Sequence, residues 1–108
     1  MTQTELITAI GETLNQIDDM LMEPALQNQP AKWQQVYALR KHLDDLQHDL
    51  VEVTIQADDA QFQTLTAKIK LATERLQKVI DDVKKIDSVI NTIAQISAGL
   101  DEILKAFA

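Results

Sequence analysis

Apolar residues recur along this chain at alternating steps of three and four, the spacing that lines one face of an α-helix. The first series is Ile7, Ile10, Leu14, Ile17 and Leu21, and the second is Val36, Leu39, Leu43, Leu46, Leu50 and Val53. The third is the longest: Phe62, Leu65, Ile69, Ala72, Leu76, Val79, Val83, Ile86, Ile90 and Ile93, continuing through Ser97, Leu100, Leu104 and Phe107. Start and stop signals separate them. Thr2-Gln3-Thr4-Glu5 fits a capping box, Pro24 ends the first helix, Pro30 suits the first turn of the second, and Asp58-Asp59 marks a third start. The pattern predicts an all-α, antiparallel bundle in one domain spanning residues 1–108, with helices near 3–23, 31–56 and 59–107.

The loops suggest how the series pair. Folding the second helix back on the third about a turn between Ala57 and Asp58 matches Leu50 with Leu65, Leu46 with Ile69 and Leu43 with Ala72. It also brings Asp49 towards Lys68. Folding the first on the second about Pro30 matches Ile7 with Val53, Ile10 with Leu50 and Leu14 with Leu46. These pairings use up the first two helices by about Val79, yet the third apolar stripe runs on. It also widens, because Val89, Ile96 and Ile103 add a second row beside the first.

Something must cover this overhang, since burying one large aliphatic side chain is worth about 1.5–3 kcal/mol. A continuous third helix leaves Ile86, Val89, Ile90, Ile93, Ile96, Leu100, Ile103, Leu104 and Phe107 without partners in the chain. Coiled-coil-like self-association through residues 86–107, giving a homo-oligomer, is then the simplest cover. The alternative is an up-down-up-down four-helix bundle, with a break near residues 84–88 where Lys84, Lys85, Asp87 and Ser88 offer end signals. The unslipped heptad across residues 83–90, and the lack of Gly or Pro there, favour continuity. In a further alternative the stripe holds a helix of another protein, as a small acidic chaperone or antitoxin-like binder would. A membrane surface is disfavoured, because residues 86–107 carry only Lys105 against Asp87, Asp101 and Glu102.

Composition narrows the function classes. The chain has 108 residues, no cysteine, two glycines, two prolines and four aromatic side chains, which suits long helices and excludes disulfides and thiolate metal sites. Its net charge is −7, with −8 in residues 1–59 and +1 in residues 60–108. An acidic surface repels phosphate backbones, so no nucleic-acid partner is expected. The longest charge-free run in the C-terminal part, residues 88–100, is too short to cross a bilayer, and a soluble, cytoplasmic chain is expected.

Candidate chemistry is sparse. Asp45 and His48 have an acid-x-x-His spacing found in metal-binding bundles, but the register turns both away from Leu43 and Leu46 and no second motif accompanies them. His42 reads as a partly exposed polar residue beside the seam. In each recurrent Asp pair at least one member falls on a solvent face or at a cap, and no Gly-rich phosphate loop exists. No enzyme, cofactor or metal is expected. Trp33 and Tyr37 are expected to cap one bundle end over Leu21 and Val79, and Gly99 to be a tolerated flexible point or a close-packing site rather than a functional hinge. The expected function is a non-enzymatic helical interaction or scaffolding module.

Overall fold

In the computed structural model, which describes residues 1–56 and 58–107, the chain is all-α, and no strand occurs among the described residues. Helix α1 spans Gln3–Leu21, the short α2 Pro24–Gln27, α3 Pro30–Glu52, α4 Ala60–Val79 and α5 Ile86–Phe107. A 3₁₀ turn at Val83–Lys85 joins the last two.

The expected starts form as read. Thr2 accepts from the Glu5 amide while the Glu5 carboxylate accepts from the Thr2 amide, completing the capping box. The bond from the Thr2 amide, helped by the Thr2 hydroxyl, holds the Glu5 carboxyl below its ordinary pKa. Asp59 caps α4 by accepting from the Phe62 amide at 2.9 Å. Pro24 and Pro30 each open a helix, where a missing N–H costs nothing. The chain between them, expected as a turn, contains α2, and its Leu26 is fully buried. Helix α3 stops at Glu52, short of residue 56, because Gln3 intervenes. Its amide donates to the carbonyls of Leu50 at 2.8 Å and Val53 at 2.6 Å and accepts from the Ile55 amide at 3.2 Å. That one side chain terminates the helix and turns Ile55 into the core.

The continuous third helix does not form; the chain folds back as the four-helix alternative allowed. A straight helix over residues 60–107 would be about 72 Å long, whereas the longest dimension of the whole molecule is 44 Å. After Ile80, Asp82 adopts an extended backbone and its carboxylate accepts from the Lys84 amide at 3.0 Å, starting the 3₁₀ turn. No residue among those described needs a positive φ, so the reversal uses neither Gly nor Pro.

The contacts fix the arrangement. Helices α1 and α3 are antiparallel, with Arg40 on Asp18, Gln47 donating to the Ile7 carbonyl at 3.0 Å, and Gln3 at Leu50. The hydrogen-bonded neighbour of Ile7 is thus Gln47 and not Val53, which centres the fold-back on α2 rather than on Pro30. Helices α4 and α5 are antiparallel, with Arg75 beside Gln95 and Phe62 against Phe107. Helices α3 and α5 run parallel, bridged by Lys32–Asp87 near their starts and His42–Asp101 further along. Around the bundle the order is α1, α3, α5, α4, so α3 and α4 occupy opposite corners.

That order corrects the expected pairing of the second and third helices. Leu46 and Ile69 are both core residues, but α5 lies between their helices, and Asp49 and Lys68 form no ion pair among the described residues. The expected turn involved Ala57, which lies outside the described residues. The physical reason is the extra helix: α5 presents the most apolar face of the chain and takes the place beside both α3 and α4.

Both glycines sit where helices approach closely. A Cβ on Gly99 would stand 2.8 Å from Cγ1 of Ile69, whereas one on Gly11 would meet only the Nε2 end of Gln47 at 3.3 Å. Alanine gains about 1 kcal/mol of helix propensity at either site, and overpacking a core costs about 1–3. Gly11→Ala should therefore stabilise by less than about 1 kcal/mol, because the Gln47 tip can give by a few tenths of an ångström only while keeping its bond to the Ile7 carbonyl. Gly99→Ala should destabilise by up to about 2 kcal/mol, because the Ile69 branch cannot shift. Thermal melts of the two variants, shifted in opposite directions, check this.

Candidate interaction surface

The nine side chains expected to form an interaction surface face inward. Ile86, Val89, Ile93, Ile96, Leu100 and Ile103 belong to the buried core, while Ile90, Leu104 and Phe107 are half-buried and pack against it. Their partners are α3 and α4 of the same chain. The overhang on which self-association was expected arises only if the third helix is straight, and the reversal at residues 80–85 removes it.

What α5 leaves on the surface is different in kind. Its outer face between the acidic ends carries Ser88, Asn91, Ala94, Gln95 and Ala98, all exposed and uncharged. Beside it, the close approach at Gly99 and Ala72 leaves a groove of about 330 Å³ along the α4–α5 seam. Ile69, Ala72, Ala98 and Gly99 line it, with Lys68, Arg75, Gln95 and Glu102 also bordering it. Leu71 stands on its edge and is 61% exposed, an unusual setting for a large aliphatic side chain inside a helix. Arg75 is steadied there by donating to Gln95 at 3.1 Å. A second hollow, about 380 Å³, lies on the other side of Leu71 against Glu74, Arg75 and Lys78. Leu71 thus forms a ridge between two hollows. It lies off the heptad stripe, and nothing in the periodicity singles it out.

The electrostatics of this face differ from the rest. Helix α1 carries Glu5, Glu12, Asp18 and Asp19 and no Lys or Arg, whereas α4 carries Lys68, Lys70, Arg75 and Lys78 against Glu74 alone. Helices α1 and α4 touch only sparingly, and the cleft between their C-terminal ends is lined by Asp19, Glu23 and Asp81.

The remaining candidates are structural. Trp33 and Tyr37 stack with centroids 5.3 Å apart, and the Trp33 indole donates to the Leu21 carbonyl at 2.8 Å, closing that bundle end. Arg40 grips Asp18 through Nε and Nη2 at 2.9 and 3.2 Å, which raises the guanidinium pKa further. Ser97 Oγ is buried without a hydrogen-bond partner among the described residues. Leu43 and Leu46 are core residues, while Asp45 and His48 are exposed. No three His, Asp or Glu side chains among the described residues converge as metal ligands. No helix among them is long and apolar enough to cross a membrane.

His48 offers a pH signature instead. Its Nδ1 bonds to the Asp44 carbonyl at 2.8 Å, and this bond, helped by the Asp44 carboxylate, raises the imidazole pKa above 6.5. A group with a raised folded pKa contributes stability that is fully present below its unfolded value and lost as pH rises through the folded one. His48→Ala should therefore lower the melting temperature slightly at about pH 5.5 and leave it unchanged at about pH 8.5.

Compared with protein-family models, with curated proteins and with solved structures, the chain matches none of them.

Proposed function

We propose that the chain is a non-enzymatic binding module, a four-helix scaffold that presents the α4–α5 groove to a helix of another protein. The observation that supports this reading is Leu71, a large aliphatic side chain left exposed between two hollows on a helix whose other large apolar residues are covered. Helix-in-groove recognition uses such a setting, with an apolar ridge of the incoming helix seated on small residues. Of the two binding modes expected from the sequence, this favours capture of a foreign helix over a homo-oligomer sealed by residues 86–107, because self-association through those residues requires α5 to leave the core. Action in the cytoplasm, expected from the sequence, is part of the proposal.

The test is NMR titration of the full chain with a helical peptide bearing Leu at i, i+3, i+4 and i+7 and neutral Gln elsewhere. Amide shifts clustered at Leu71, Ala98 and Gly99, with light scattering reporting a monomer before addition, support the reading. Light scattering that reports an oligomer broken by Leu71-distant α5 substitutions, or peptide shifts confined to other faces, overturns it.

A further inference from the structure

Resting on that reading, we infer that the occupant of the α4–α5 groove is an acidic amphipathic helix of a different protein, guided by Lys68, Arg75 and Lys78. These three cations and Leu71 recur at steps of three, four and three along the outer side of α4, a line about 15 Å long. Each cation borders one of the two hollows flanking Leu71. Among the described residues none of the three makes an ion pair, although the chain as a whole has net charge −7. Lys32 and Arg40, by contrast, are each held by aspartates. Lys68, Arg75 and Lys78 outnumber Glu74 and Glu102, the two acids on the same hollows, and an exposed apolar ridge with this net positive surround is the complement of a helix whose Leu stripe is flanked by Asp or Glu.

A second copy of this chain fits less well. It offers acids, notably the exposed Glu5, Glu12 and Asp19 of α1, but no apolar ridge among them. Its exposed large hydrophobics, Met22, Tyr37, Val51 and Leu71, are scattered over separate elements. An anionic membrane fits less well too, because one Leu gives little insertion and the remaining surface is repelled.

The experiment uses the full chain and three fluorescent helical peptides of about five turns with the same Leu stripe, flanked by Glu, Gln or Lys. Affinities are measured by anisotropy at low and high salt, with circular dichroism confirming that each variant remains folded. The Glu-flanked peptide is expected to bind about tenfold tighter than the Gln-flanked one at low salt, with the gap closing at high salt. Lys68→Glu with Arg75→Glu is expected to reverse the preference towards the Lys-flanked peptide. Leu71→Asp, at an exposed site, is expected to weaken all three by at least about tenfold. If the Gln-flanked peptide binds through Leu71 but flank charge makes no difference, the acidic partner is wrong while the binding-module reading survives. If no peptide depends on Leu71, both fall. Binding of anionic lipid vesicles through Lys68 and Arg75, in preference to the Glu-flanked peptide, also overturns the inference.

Discussion

An Ile93→Asp substitution is expected to abolish folding of the whole chain, with loss of the helical circular dichroism signal, and not to separate subunits. Ile93 is fully buried at the middle of α5, where α3 and α4 meet it. Losing its side chain alone costs about 2–5 kcal/mol, and enclosing a carboxylate in its place costs several more. Those terms together are comparable to the entire stability of about 5–15 kcal/mol typical of such a domain. Ile90→Asp, at a half-buried position, should be milder. Light scattering discriminates the alternatives. A variant that stays helical while its mass falls by half would make α5 an intersubunit element and overturn the fold-back arrangement.

The second large effect is expected at the opposite end of α4. Phe62 is fully buried and meets Phe107 edge-to-face, with centroids 6.1 Å apart and planes at 85°. Phe62→Ala should cost about 3–5 kcal/mol, lowering the melting temperature by on the order of 15 °C or more. Phe107→Ala, at a half-buried ring, should cost less, about 1–2 kcal/mol. The double variant should fall short of the sum by about 0.5–1.5 kcal/mol, the worth of the ring pair itself. Equal losses from the two single variants would mean that α5 does not close over Phe62 in this way.

Helix starts were legible because they rest on local chemistry: Thr2 with Glu5, Pro30 and Asp59 act within one turn. The end of α3 was not, since the group that stops it, Gln3, lies some fifty residues away in sequence. The reversal before α5 was legible in principle. Steps along the core run Phe62, Leu65, Ile69, Ala72, Leu76 and then, after the turn, Ile86, Val89, Ile93, Ile96, Leu100 and Ile103. Relative to the α4 row continued through Ile86 and Ile90, the buried row keeps Ile86, Ile93 and Leu100 and takes every alternate member one residue earlier. The second row of Val89, Ile96 and Ile103, read as a widening of one stripe, is that change. Reading it correctly also removes the unpaired stripe on which the expected self-association surface was built. The groove beside Leu71 carries no periodic signal, because it depends on which small residues, Ala72, Ala98 and Gly99, line the α4–α5 seam.

The diagonal placement of α3 and α4 has a consequence for how the chain acquires its structure. Each antiparallel pair, α1 with α3 and α4 with α5, joins neighbours in sequence, so each can assemble through short loops at small entropic cost. The contacts between the pairs, chiefly α3 with α5, link residues more than fifty positions apart and must form afterwards. The α1–α4 side closes over sparse contacts and two polar clefts, so it contributes little to holding the halves together. Amide exchange should accordingly divide the molecule along that line, with the centres of α3 and α5 exchanging last and α1 opening towards α4 before the chain unfolds as a whole.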